Sequence, residues 1–327
     1  MGIAGNSGRI LSVPGKGRLM ALQAVLTPLP ASSIVSTGGA ASPLTAMLED
    51  KAVWSATWVC IGTTYAIPNP GDLLPYTVGY QGLHVERLTG GGFVGRFNKQ
   101  PHGGCRFVPV QCQTGTKTKC SFTSCGHSRD RGTLRVEDTI ASHQYVGLRP
   151  ERLPTFRVAE FGPLLMVHLG GEPADLPQPM VEHSALSGAP AAPEAWYEYS
   201  ANWKTMGASL AAGERLWERD DCLATRIVLP NGETAECRWL FPNLLLLLSD
   251  SSACVIVLQP TALHQTLLRV TPFGAPAPWV DMIEQRRLAA AGAIVSSGDA
   301  AGEFMRRRAS FYLGASEPAR KEKYYDA

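Results

Sequence analysis

Residues 197–221 read YEYSANWKTMGASLAAGERLWERDD. The Ala, Leu, Met and Glu content favours a helix from about Asn202 to Trp217. Beyond Asp221 the texture changes. TRIVL (225–229), ECRWLF (236–241), LLLLL (244–248), CVIVL (254–258) and TLLRVTPF (266–273) are short apolar runs separated by turn residues. They read as strands of an antiparallel sheet. A second helical stretch is expected near Trp279 to Ala291. A sheet wrapped around helices makes an apolar cavity the expectation for this half.

Working outward toward the amino terminus, residues 173–193 are rich in Pro and Ala and mark a linker or surface crossing. From Trp54 to about Leu169 the chain carries β-type runs broken by Gly, Pro and Asn, among them GLHVERL (82–88), GFVGRF (92–97) and TFRVAEF (155–161). Residues 1–46 are rich in Gly, Ser, Ala and Pro with one apolar patch at Leu19–Leu26, and read as a flexible arm, Met20 and Met47 being alternative starts. The resulting division is an arm at 1–46, a β domain at 47–172 and an α+β domain at 173–327.

The chain has 327 residues, 45% of them hydrophobic, enough for a large core and two domains. Its net charge of +2 is spread along the sequence, which argues against nucleic acid or an anionic membrane as partner. The longest apolar run, Leu244–Leu248, is far short of the ~20 residues a membrane span requires. With no basic-then-apolar start of the signal-peptide kind, the expectation is a cytoplasmic protein. Its eight cysteines are then buried thiols or metal ligands.

Six stretches, in order, resemble the α subunits of Rieske non-haem iron ring-hydroxylating oxygenases. WSATWVCIGTTYAIPNPGDLLPYTVGYQGLHVER (54–87) is similar to the entry strand and its Pro-Gly-Asp turn. FNKQPHGGCRF (97–107) and KCSFTSCGH (119–127) stand where the two cluster-binding loops belong. LRPERLPTFRVAEFGPLLMVHLG (148–170) resembles the closing strands, SANWK (200–204) the start of the iron helix, and WLFPNLLLLL (239–248) a strand of the catalytic sheet. The resemblance implies an α+β protein with an all-β Rieske-like domain and a helix-grip antiparallel sheet domain. It also implies a homo-oligomer, by family a trimer.

The same resemblance makes the ligand positions doubtful. A Rieske cluster takes two cysteines and two histidines. The family's Cys-x-His and Cys-x-x-His positions hold Gln100 with His102, and Cys120 with Thr123, so one cysteine and one histidine are missing. No cluster is expected. His102, Cys105, Cys120 and Cys125 leave zinc open, with Cys112 and His127 nearby, against the plainer reading of buried thiols in a retained loop. Cys120 as thiolate with His102 as base is a further reading, opposed by the loop's distance from the family's substrate cavity.

In the family the mononuclear iron histidines fall about thirteen and eighteen residues beyond the Asn, here Arg215 and Asp220, with earlier acidic positions at Ala208 and Ala212. Past His183 the sequence has only His264, too few imidazoles for the site. Glu214, Arg215, Glu218, Arg219, Asp220 and Asp221 form a charged cluster, readable as a solvated, salt-bridged helix end. Read functionally, Arg215 polarises a carbonyl, Asp220 or Asp221 serves as acid or base, and Glu214 assists.

The expectation for function is a non-redox enzyme on an oxygenase scaffold, cofactor-free, promoting cyclisation, isomerisation or a pericyclic-type step on a bulky hydrophobic molecule of specialised metabolism. An inactive partner subunit of an active oxygenase, and a metalloprotein with rearranged ligands, are the alternatives.

Overall fold

A computed structural model describes residues 42–79, 81–97, 153–171, 182–290 and 299–315. Residues 1–41 of the expected arm and the positions Gln100, His102, Cys105, Cys112, Cys120, Thr123, Cys125 and His127 lie outside the described residues, whereas 42–46, also expected in the arm, open a helix.

The chain enters as a short helix α1 (Pro43–Glu49), capped by the Ser42 hydroxyl accepting from the Thr45 amide, with Pro at its first turn. A π-turn at Asp50–Trp54 comes next. Six strands make the first sheet: β1 (Val59–Thr63), β2 (Leu73–Val78), β3 (Gln81–Arg87), β4 (Phe93–Phe97), β5 (Thr155–Phe161) and β6 (Leu164–His168). Their order is β1-β6-β5-β4-β3-β2, all neighbours antiparallel. The runs read as β-type in the sequence lie in these strands. Gly95 of β4 is required by packing, since a Cβ there would stand 2.2 Å from the Phe156 ring on β5.

The second sheet is built from β7 (Ala195–Tyr199), β8 (Glu214–Arg219), β9 (Cys222–Val228), β10 (Thr234–Leu240), β11 (Leu244–Ser249), β12 (Ser252–Ala262) and β13 (Gln265–Gly274). It runs β7-β13-β12-β11-β10-β9-β8, a meander from β8 to β13 closed at one side by the return of β7. Helices α2 (Trp203–Leu210), α3 (Trp279–Ala290) and α4 (Ala300–Ala315) accompany it, α2 packing on α3, α4, β12 and β13. The all-antiparallel, mostly β architecture with few helices agrees with the expected class. No described helix is long and apolar enough to cross a membrane.

The two sheets meet through polar groups as well as apolar ones. The Asn243 amide accepts from the Cys60 backbone N–H at 3.0 Å and donates to the Cys60 carbonyl at 2.7 Å, acting toward β1 as a neighbouring strand would. Arg269 of β13, only 1% exposed, donates to Gln259 Oε1 at 3.0 Å and to the Ile61 carbonyl at 3.3 Å. Its guanidinium lies over the rings of Tyr76 and Trp196. A buried guanidinium is tolerable only with its charge so engaged.

Candidate functional site

The helix expected over Asn202–Trp217 ends early. The Asn202 side chain caps α2 by accepting from the Lys204 amide, but the last helical residue is Leu210. Gly213 then passes so close to β9 that a Cβ would sit 2.1 Å from the Arg226 carbonyl oxygen, and the chain continues as β8. Sheet pairing outweighs the helix propensity of Glu, Arg, Leu and Trp in ERLWER.

This placement determines where the charged candidates go. Glu214 bonds Arg226 across the strand pair at 2.6 Å, both side chains more than half exposed. Arg215 is likewise exposed, 3.8 Å from Glu218, which in turn accepts from Arg307 of α4 at 2.6 Å. Asp220 takes φ +45° in the two-residue turn to β9, a conformation Asp tolerates. Asp221 is half-buried: it accepts from the Tyr312 hydroxyl and lies 3.3 Å from Arg308. Burial raises the Asp221 carboxyl above its ordinary range despite both partners. The structure thus brings Asp221 together with Tyr312 and Arg308, and spreads Glu214, Arg215 and Asp220 along a sheet edge.

The space beneath α2 is closed by side chains. A Cβ on Gly207 would stand 2.6 Å from the Trp239 ring and 3.0 Å from Leu258. Trp239 is fully buried, donates its indole N–H to the Pro242 carbonyl at 3.1 Å, and meets Phe304 of α4 edge-on at 5.7 Å. A glycine on the helix thus lets an indole lie flush against its backbone.

A small crevice of about 70 Å³ opens beside the start of α2, among Glu49, Asp50, Trp54, Gly79, Asn202, Trp203 and Leu263. At its base the buried Lys204 ammonium donates to the buried Glu49 carboxylate, and Trp54 and Trp203 meet edge-to-face. Burial raises Glu49 despite Lys204. Asp50, partly exposed, is pushed up to about 6, first by burial and then by the Glu49 charge. Sequence reading missed this group. Lys204 stood in the SANWK stretch, but its partner lies 155 residues earlier.

A second, more open cavity of about 280 Å³ lies among Phe161, Pro163, Glu182, His183 and Leu186. The first falls well short of the roughly 300–1,000 Å³ typical of sites that enclose a drug-sized ligand, and the second lies at its lower bound.

For mononuclear iron the donor set can be tested directly. The positions that the resemblance implies hold Ala208, Ala212, Arg215 and Asp220, and among the described residues no three His, Cys, Asp or Glu side chains converge as a metal group. Those four side chains do not supply two imidazoles and a carboxylate. Cys60, Cys222, Cys237 and Cys254 are buried thiols whose proton affinity is raised by desolvation, Cys60 to about 12.

No family model matches the chain, and no curated protein matches it. Solved structures do. The chain is similar to the apo form of CntA, a quaternary ammonium Rieske monooxygenase, at 12% identity, covering 87% of this chain and 95% of that one with a TM-score of 0.56. CntA with L-carnitine gives 12% identity, 86% and 95% coverage and a TM-score of 0.55. A further structure of a quaternary ammonium Rieske monooxygenase, described in terms of carnitine oxidation by gut microbiota and inter-subunit electron transfer, gives 12% identity, 86% and 94% coverage and a TM-score of 0.54.

The chain therefore has the fold of the Rieske oxygenase α subunits. This corrects the expectation of a cofactor-free protein with zinc as the one option. The neighbouring structures are Rieske monooxygenases, proteins named for an iron–sulfur centre, so the scaffold is one built around iron cofactors.

Proposed function

We propose that this chain serves within a Rieske-type oxygenase assembly as a supporting subunit, its second sheet supplying structure and contact surface in place of substrate turnover. One observation supports the reading: Trp239 fills the space beneath α2, against Gly207 and Phe304, so the chain's own side chains occupy that part of the interior. Such packing suits a subunit that holds its shape for others. Oligomeric working is in keeping with the fold, one of whose members is described by inter-subunit electron transfer. By the family resemblance the assembly is a trimer. The test is co-expression of the tagged full chain with an iron-bearing Rieske oxygenase α subunit from the same source. Co-elution and a longer-lived partner activity are expected. A chain that elutes alone and turns over a substrate unaided would falsify the proposal.

A second reading, the non-redox enzyme, is favoured by a different observation: the Asp50 carboxyl, raised toward pH 6, lines an open crevice and suits proton exchange with a bound group. Asp221 with the Tyr312 hydroxyl is its second candidate, and Arg215, Glu214 and Asp220 are its outlying ones. The crevice admits a substituent rather than a whole polyketide or aromatic skeleton. Metabolite profiles of a host making the wild-type chain, Asp50→Asn or Asp221→Asn should differ from each other under this reading. Identical profiles sink it.

A further inference from the structure

We infer that Asn231, at the tip of the β9–β10 hairpin, is a site of spontaneous deamidation whose pace is set by the turn that holds it. The inference is independent of the assembly role above. Of the six asparagines in the chain, Asn231 alone is followed by glycine. It stands in the exposed turn Pro230-Asn231-Gly232, just beyond the outermost β9–β10 pair, Val228↔Thr234.

Glycine carries no side chain to shield its own backbone nitrogen. The space around Gly232 is open as well, since a Cβ there would meet nothing within 4 Å. The Gly232 nitrogen attacks Asn231 Cγ and an N–Cγ bond forms. The Cγ–Nδ2 bond breaks, and ammonia leaves with the proton that the Gly232 nitrogen gave up. Water then opens the five-membered imide. Opening at Cγ gives aspartate, and opening at the Asn231 main-chain carbonyl gives isoaspartate, with the chain rerouted through the side chain. The sum is carboxamide plus water to carboxylate plus ammonium.

The turn acts differently on the two reacting groups. The Gly232 N–H donates to the Leu229 carbonyl at 2.9 Å, and the Leu229 N–H donates to the Glu233 carbonyl at 2.8 Å. Pro230 fixes φ ahead of Asn231, and Gly232 takes φ +84° after it. The attacking nitrogen is thus held toward Leu229 and must be released before it can turn on Cγ. The carboxamide, by contrast, is readied. Asn231 Oδ1 accepts from the Glu233 N–H at 3.1 Å, a donor placed where negative charge develops as Cγ becomes tetrahedral. Each backbone bond released costs up to roughly ten-fold in equilibrium, so two of them slow the reaction about 10- to 100-fold against an open chain.

The product alters the turn that made it. Nδ2 now donates to Glu233 Oε2 at 2.9 Å, and a carboxylate in its place turns that attraction into repulsion. Isoaspartate also lengthens the main chain at the tip by one atom. The Val228↔Thr234 pair is the first to loosen.

The test is peptide mapping by mass spectrometry of the full chain and of a synthetic peptide of residues 227–235, kept side by side in mildly alkaline buffer. Aspartate and isoaspartate should appear at position 231 of the full chain about 10- to 100-fold more slowly than in the peptide, and ahead of every other asparagine. Pro230→Ala, which frees φ ahead of the turn and leaves Asn-Gly intact, should speed the full chain at least ~3-fold. An Asn231 still intact after roughly 500 peptide half-lives, well past the slowest pace expected, overturns the proposal. So does a full-chain rate equal to the peptide's, or one unmoved by Pro230→Ala, because the turn would then set nothing.

Discussion

Asp50 shows how a single carboxyl works against its own fold. Its folded proton affinity lies above the unfolded value, 3.8 against about 6, so protonation favours the folded chain. That contribution is fully present below pH ~3.8 and is lost as pH rises through 6. Asp50→Asn should therefore stabilise the protein at pH 7 by about 1–2 kcal/mol, once the ~3 kcal/mol implied by the shift is discounted for partial exposure. Near pH 3.5 it should change little. Urea denaturation of both proteins across that range checks it, and a pH-independent difference would show that charge is not the cause. Gly207→Ala tests the opposite kind of site. Alanine gains helix propensity, yet its methyl meets Trp239, and a net loss of about 1–3 kcal/mol is expected in the same assay. At this scale the sequence was only partly legible: glycine in a helix looks like a weakness until the indole that needs its absent side chain is known.

Among the elements, α1 is held to α2 chiefly by Lys204 and Glu49, both nearly inaccessible. Removing one partner strands a buried charge, so Lys204→Met should cost about 3–5 kcal/mol, whereas Lys204→Met with Glu49→Leu should recover most of it. Thermal unfolding of the three variants decides, and equal losses in single and double variants would mean packing rather than charge governs the contact. The strands after Asp221 were readable because their apolar runs and turn residues coincide with β9 to β13. Helix α3 was readable too, its described residues Trp279–Ala290 falling within the expected stretch. Helix α2 was not, past Leu210. Its continuation contains good helix formers, and pairing with β9, which Gly213 approaches so closely that a Cβ would stand 2.1 Å from the Arg226 carbonyl oxygen, turns them into a strand. Helix α4 was missed altogether: its run of three arginines hides the apolar positions Ala301, Phe304, Met305 and Ala309 that bury it.

For the molecule as a whole, stability depends on the seam between sheets as much as on either core. Arg269 crosses that seam with its charge spread over two rings, an amide and a carbonyl. Arg269→Met keeps the volume and removes those bonds, leaving Gln259 Oε1 and the Ile61 carbonyl to be desolvated without this donor. A loss of about 2–4 kcal/mol is expected, with the single unfolding transition broadening or splitting as the sheets uncouple. Scanning calorimetry reads both effects, and an unchanged, single sharp transition would show that the apolar contacts alone couple them. The whole-molecule fold was legible from ordered motifs despite 12% identity to solved relatives. The cofactor expectation was not sound, because reading ligands position by position says less about a scaffold than its shape does.

The pair of hydrogen bonds between Asn243 and Cys60 has a consequence for how the protein is made. The two residues are 183 apart in the chain. At roughly 5–20 residues per second, the ribosome delivers Asn243 about ten to forty seconds after Cys60. For that interval the outer edge of β1 waits without the amide that will cover it, in the crowded space at the tunnel exit. Slowing translation between the two sheets should therefore lower the yield of folded chain.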